Sequence, residues 1–197
     1  MSPLRPWQVV VVFAAATSTL GFVTSPASKL DSAWKRYHNP EWGYCVSYPS
    51  RWIKGDAFDG AGIFFESGPR KHTRPIGEID IVAVASRADD SPRPRPASLT
   101  DDLETHLEGL RKFERAEQLE IVEQHSLNLR DASALFTKDR YYDPLDRGHW
   151  VDEIVFARRK STLYRLEMEC RADQLERFER VFTQMLQSFE FECQRGR

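Results

Sequence analysis

Two neighbouring segments, residues 149–158 and 162–170, constrain the fold of this chain more than any other part of the sequence. In the second segment apolar and charged side chains alternate strictly: Tyr164, Leu166, Met168 and Cys170 are separated by Arg165, Glu167 and Glu169. Successive side chains of a strand point to opposite faces of a sheet, so the alternation predicts one dry face and one charged face. The short break at residues 159–161 predicts that the two segments form an antiparallel β-hairpin.

Further strands are predicted upstream of this hairpin, at residues 44–48, 63–65, 78–86, 121–129 and 132–142. In the 78–86 segment apolar residues occupy both alternating positions. A strand of that kind is typically covered on both sides, so the sheet is expected to have a layer of structure on each face.

Two amphipathic helices are predicted from apolar residues that recur at helical spacing. The first contains Leu99, Leu103, Leu107, Leu110 and Phe113, and the second contains Leu175, Phe178, Phe182, Met185, Leu186 and Phe189. Ser98 with Asp101, and Asp173 with Glu176, predict capping boxes at the two N-termini. In the first helix Asp102 is expected to face water, and His106 is expected to have a structural or surface role.

The composition favours one globular domain and gives no sign of a nucleic-acid partner. The chain has 197 residues, of which 41% are hydrophobic and 29% charged, and its formal net charge is −2. A nucleic-acid-binding domain would need a clustered basic face. Here arginine is interleaved with aspartate and glutamate, which predicts a mixed-charge surface.

The N-terminal residues 1–27 have the layout of a secretory signal peptide. Arg5 precedes an apolar run from Trp7 to Ala16, and Ser25 and Ala27 are small residues suited to cleavage. Cleavage would leave a single secreted or periplasmic domain over residues 28–197. The alternative is an uncleaved N-terminal segment that anchors the protein in a membrane, which requires about 20 predominantly apolar residues.

Three cysteines, Cys45, Cys170 and Cys193, remain in the expected mature chain. An exported protein meets an oxidising environment, where one disulfide can form and one thiol is left over. The sequence leaves all three pairings open.

Two motifs resemble those of the PsbP/Mog1-like superfamily. They are Gly-Tyr-Cys-Val-Ser-Tyr-Pro-Ser-Arg-Trp at residues 43–52 and Met-Leu-Gln-Ser-Phe-Glu-Phe at residues 185–191. The resemblance implies an α+β fold in which an antiparallel β-sheet of about six strands is flanked by helices in an α/β/α sandwich. The superfamily includes photosystem accessory proteins, a nuclear-transport cofactor and exported bacterial proteins of unknown role, so this fold does not imply an enzyme.

An aromatic concentration near the first motif has two interpretations. Trp42, Tyr44, Tyr48 and Trp52 could pack the N-terminal segment over the sheet, or they could form a surface for a ligand or partner, because exposed aromatic residues carry binding energy.

One polar loop, residues 141–149, carries groups that can hold a divalent metal ion: Asp143, Asp146 and His149. No catalytic residues are assigned, since the sequence has no Gly-x-Ser-x-Gly elbow and no phosphate-binding glycine loop. We therefore expect an exported, non-catalytic binding or accessory domain for an unknown protein or small ligand, with no cofactor, that assists an envelope protein assembly. The alternative is a metal-binding protein or metal-dependent enzyme that uses the 141–149 loop.

Overall fold

The computed structural model describes residues 34–57, 62–67, 77–85, 98–112 and 115–193. The predicted signal peptide, residues 1–27, and the start of the predicted mature domain lie outside these ranges. Cleavage and the 28–197 boundary therefore stay predictions.

The described residues form nine strands and two α-helices. The elements in chain order are β1 (Trp34–His38), β2 (Cys45–Pro49), β3 (Ile53–Ala57), β4 (Gly62–Glu66), β5 (Gly77–Ala85), α1 (Leu99–Lys112), β6 (Glu117–Leu129), β7 (Ala132–Asp143), β8 (Gly148–Arg159), β9 (Thr162–Arg171) and α2 (Leu175–Ser188). A 3₁₀ turn, Ala172–Gln174, joins β9 to α2.

Seven strands form one antiparallel sheet in the order β3-β4-β5-β9-β8-β7-β6, and β1 pairs with β2 in a separate hairpin. The predicted hairpin of β8 and β9 is confirmed, with Val155 opposite Leu166. The large sheet has seven strands where about six were predicted. Strands β1 and β3 were not predicted, because each has only five residues and carries charged side chains and therefore shows no clear alternation.

The two helices cover opposite faces of the large sheet. On one side, here called the α2 face, Val155 belongs to the same buried cluster as Phe182 and Met185, together with the β1–β2 hairpin. On the other, the α1 face, the adjacent residue Ile154 belongs to a cluster with Leu103. Because neighbouring strand residues point in opposite directions, the sheet lies between the helices, and the predicted α+β sandwich is confirmed.

The predicted start of α1 is confirmed, and the predicted cap of α2 is wrong. The Ser98 backbone N–H donates to Asp101 Oδ2 at 2.9 Å, and the Asp101 N–H donates to Ser98 Oγ at 3.2 Å. In α2 the N-cap is Gln174, and its side chain makes no capping hydrogen bond. The 3₁₀ turn that includes Asp173 leads the chain into this helix, so the aspartate lies before the position where a cap could act.

A disulfide joins Cys45 in β2 to Cys193 near the end of the described chain, with the two Cα atoms 5.7 Å apart. Two backbone hydrogen bonds of 2.9 Å between Cys45 and Glu190 hold the same tail against β2. Cys170 is a buried free thiol, and burial raises its pKa to about 12. The structure therefore selects one of the three pairings that the sequence left open.

Candidate functional site

The aromatic residues near the first motif divide between the core and its edge. Tyr44 is fully buried and its ring stacks on Phe189 with centroids 5.6 Å apart, and Tyr48 is only 8% exposed. Trp42 and Trp52 are partly buried against the same core. Packing accounts for the two tyrosines. A ligand or partner surface here would use the exposed parts of the two tryptophans, and it stays a prediction.

The polar loop before β8 is held by its own side chains. Asp143 Oδ1 accepts hydrogen bonds from the backbone N–H groups of residue 145, at 2.8 Å, and of Asp146, at 3.2 Å. Asp146 Oδ2 accepts from Trp150 Nε1 at 3.2 Å and pairs with Arg171 Nη1 at 2.9 Å. His149 is exposed. These contacts stabilise the turn, and metal binding by Asp143, Asp146 and His149 stays a prediction.

A groove with a volume of about 330 Å³ opens on the α2 face, between α2 and strands β6 to β8. Its lining combines apolar and acidic side chains, among them Leu127, Phe136, Leu186, Glu123, Glu153 and Glu179. A groove lined by apolar and acidic side chains can bind a polypeptide segment that carries apolar and positively charged side chains.

Lys138 balances part of the acidic charge at this groove. Its Nζ lies 2.7 Å from Glu153 Oε1 and 3.1 Å from Glu179 Oε1. Partial burial opposes the charge of Lys138, but these two hydrogen-bonded carboxylates raise its pKa. The third carboxylate, Glu123, lies 3.2 Å from Nδ1 of His125, which also lines the groove. The lining thus has three carboxylates and only one lysine beside them, so the groove keeps an acidic character.

A second polar region lies under α1, where no site was predicted. The His106 ring nitrogen Nε2 lies 3.9 Å from Asp139 Oδ2 and 3.8 Å from Asp152 Oδ2, and Nδ1 lies 3.9 Å from Glu167 Oε1. Burial lowers the pKa of His106 and raises the pKa of Asp139 to about 6. We call these four residues the His106 cluster.

Two signals in the sequence could have indicated this cluster. His106 lies three residues after Leu103 and four before Leu110, so its spacing places it on the buried stripe of α1. Glu167 lies on the predicted charged side of β9. Its side chain is only 14% exposed because α1 covers that side. The expectation that Asp102 faces water is wrong, since it is buried and pairs with Arg158 on β8 at 2.9 Å.

Glu78 on β5 lies among other carboxyl groups on the α1 face. Glu66, its partner on β4, is 2% exposed, and Asp80 is its neighbour along the strand. Burial, followed by the charge of Asp80 and a hydrogen bond with Glu66, raises the pKa of Glu78 to about 9. Glu78 is therefore a neutral acid near pH 7 in the folded protein.

This pKa predicts that stability falls as pH rises through the neutral range. An unfolded glutamate has a pKa of about 4.3, so between roughly pH 5 and pH 9 the folded protein holds a proton that the unfolded chain has released. Glu78→Gln mimics the neutral acid. We expect it to raise the free energy of unfolding by on the order of 1 kcal/mol at pH 8, and to have little effect at pH 4.5.

Urea denaturation followed by circular dichroism at both pH values measures this difference. Exposed Glu104→Gln on α1 is the matched control and should change stability equally at both. An equal effect of Glu78→Gln at the two pH values would contradict the prediction.

Comparison with known proteins identifies the fold. No family model matches the chain, and no curated protein matches its sequence. The solution structure of cyanobacterial PsbP (CyanoP) from Synechocystis sp. PCC 6803 is similar with a TM-score of 0.58 and 15% identity, over 87% of this chain and 99% of that one. The crystal structure of LpqN, involved in cell envelope biogenesis of Mycobacterium tuberculosis, is similar with a TM-score of 0.52 and 12% identity, over 80% of this chain and 89% of that one.

These likenesses confirm the predicted PsbP/Mog1-like fold, and at such low identity they concern the fold alone. Among the described residues, no helix has both the length and the apolar character needed to cross a membrane.

Proposed function

We propose that this protein is an exported, non-catalytic accessory domain whose groove beside α2 binds a basic, partly apolar segment of a partner polypeptide. The observation that carries the proposal is the lining of the groove, where Leu127, Phe136 and Leu186 lie beside Glu123 and Glu179. Apolar contacts contribute affinity, and the carboxylates favour a partner of opposite charge.

Export is supported by the Cys45–Cys193 disulfide and by the apolar N-terminal segment. Disulfides persist in oxidising compartments and are rare in the cytosol. The PsbP-like fold supports an accessory role, and the likeness to LpqN favours the cell envelope as the place where it acts.

Export is tested by the N-terminal sequence of the protein recovered from a bacterial host. We expect a mature chain that begins near Ser28 and is recovered without detergent. A chain that keeps Met1 and is recovered with the membrane would support the alternative of an N-terminal anchor.

Partner binding is tested with two substitutions on adjacent exposed positions of α2. Thr183 lines the groove, and Thr183→Arg adds bulk and positive charge there. Gln184 is also exposed but does not line the groove, so Gln184→Arg is the matched control for the added charge and bulk. We expect Thr183→Arg to weaken binding at least tenfold, about 1.4 kcal/mol, and Gln184→Arg to leave it unchanged.

The probes are a lysine-rich amphipathic peptide and an acidic peptide with the same apolar residues, together with cross-linking in an envelope extract. The basic peptide should bind to the wild-type chain, and an envelope protein should be cross-linked to it. Both signals should be weaker with the Thr183→Arg variant. Equal binding of the two peptides, or capture by Thr183→Arg at the level of the wild-type chain, would contradict the proposal.

A further inference from the structure

The His106 cluster brings one imidazole and three carboxyl groups from four elements into one buried volume. His106 lies on α1, Asp139 on β7, Asp152 on β8 and Glu167 on β9. Their side chains are 7%, 0%, 1% and 14% exposed, respectively. One ligand atom from each of His106, Asp152 and Glu167 lies within 4.8 Å of the others.

The hydrogen bonds among the described residues leave two atoms of the cluster unsatisfied. Asp139 Oδ1 accepts from Thr137 Oγ1 at 2.9 Å, but Asp139 Oδ2 accepts no hydrogen bond. His106 Nε2 also has no hydrogen-bond partner, because its distance of 3.9 Å from that oxygen is too long for a hydrogen bond. Buried polar groups are normally hydrogen-bonded, so these two atoms indicate a bound group between them.

The charge of the cluster favours a cation. Acidic groups are buried here close to one another, and burying an ionised carboxylate is costly unless it is paired or coordinates a metal. Arg165 Nε lies 3.0 Å from Glu167 Oε2, so one cationic side chain faces this carboxylate. The Oε1 atom of the same carboxylate is the one that lies beside His106 Nδ1.

We propose that the His106 cluster binds one divalent transition-metal ion, with His106 Nε2 and the carboxylates of Asp139 and Asp152 as ligands. The ligands of a tetrahedral zinc ion lie roughly 3.3–3.6 Å from one another. The distances from His106 Nε2 to the Asp139 and Asp152 carboxylates, 3.9 and 3.8 Å, need only a small contraction to match. Glu167 Oε1 lies 3.9 Å from Nδ1 and, after a small approach, would accept the Nδ1–H bond and orient the ring, as carboxylates do for metal-bound histidines. Mixed nitrogen and oxygen ligands suit Zn²⁺ or Mn²⁺ better than Ca²⁺, which prefers oxygen.

The site lies on the α1 face, whereas the proposed partner groove lies on the α2 face. Metal binding and partner binding can therefore be tested separately, and the loss of one does not imply the loss of the other.

The test uses the purified full-length chain in its disulfide form, stripped with a chelator and kept without thiols. These conditions keep Cys45 and Cys193, which lie near His38, unavailable as metal ligands. We expect calorimetry to show that one Zn²⁺ or Co²⁺ ion binds to each chain. Bound Co²⁺ should give a visible absorption band, and the melting temperature should rise with metal concentration. Ca²⁺ should have little effect.

His106→Gln should weaken Zn²⁺ binding by more than 100-fold, and Glu167→Gln, which changes only the outer partner, by about 10- to 100-fold. His149 is exposed and lies outside the cluster, so His149→Gln is the matched control and should bind like the wild-type chain. If circular dichroism shows that His106→Gln does not fold, Asp152→Asn provides the same readout. The proposal is wrong if the stripped chain binds no metal, or if His149→Gln, rather than the cluster variants, abolishes binding.

Discussion

Replacing Phe178 with alanine is expected to lower the free energy of unfolding by about 3–5 kcal/mol. The Phe178 side chain is fully buried between α2 and the sheet, and its ring centroid lies 5.5 Å from that of Trp52. The substitution removes this buried ring from the α2 face and leaves a cavity among the residues that pack against it. Denaturant unfolding under non-reducing conditions measures the loss, and a change below 1 kcal/mol would contradict this account of the core.

The same contact predicts that Gly77→Ala is destabilising. A Cβ atom at Gly77 would lie 2.4 Å from the Phe178 ring, and such overpacking costs about 1–3 kcal/mol. Gly109→Ala is the matched control, because a Cβ atom there meets nothing within 4 Å and alanine favours the helix by about 0.5–1 kcal/mol. In a Phe178→Leu background the cost of Gly77→Ala should shrink, since the two positions share one contact.

Loss of the Cys45–Cys193 disulfide is the second large expected effect. Replacing both cysteines with alanine should lower the free energy of unfolding by about 2–5 kcal/mol. The two residues are 148 positions apart, so the bond restricts a long loop of the unfolded chain. Phe189 and Phe191 still anchor the tail in the core, so the variant should keep its fold at lower stability.

The double alanine variant loses the disulfide and also leaves a small cavity where the buried Cys45 side chain was. Chemical reduction of the wild-type chain breaks the disulfide without making that cavity, so it separates the two effects. A thiol reductant should lower the melting temperature of the wild-type chain and leave that of the double alanine variant unchanged. Cys170 should not interfere, because its buried thiol has a pKa of about 12 and stays protonated and unreactive. A wild-type melting temperature that does not respond to reductant would contradict a stabilising role for the disulfide.

Local patterns were sufficient to predict most of the secondary structure. The alternation around Leu166 predicted the β8–β9 hairpin, and the spacing of leucines after Ser98 predicted α1 together with its capping box. These features depend on residues that are near one another in the chain, and the periods of strands and helices differ enough to distinguish them. The two motifs at residues 43–52 and 185–191 resemble those of a known fold, and this resemblance predicted that the sheet lies between two layers of helix.

The proposed sites required the three-dimensional arrangement. The groove beside α2 combines side chains from a helix and three strands, and local sequence patterns predict neither this groove nor the pairing of Cys45 with Cys193. The tyrosines of the aromatic block, Tyr44 and Tyr48, were candidates for a binding surface and lie in the core.

The charged side of β9 shows why the proposed sites could not be predicted from the sequence. A period of two tells which side chains share a face with Glu167, but it does not tell what covers that face. A charged residue beside water and one beneath a helix have the same sequence pattern, because the partners that make burial tolerable come from distant segments. The strand and helix periods are properties of the local chain. The meeting of His106 with Asp139, Asp152 and Glu167 depends on α1 packing across β7, β8 and β9.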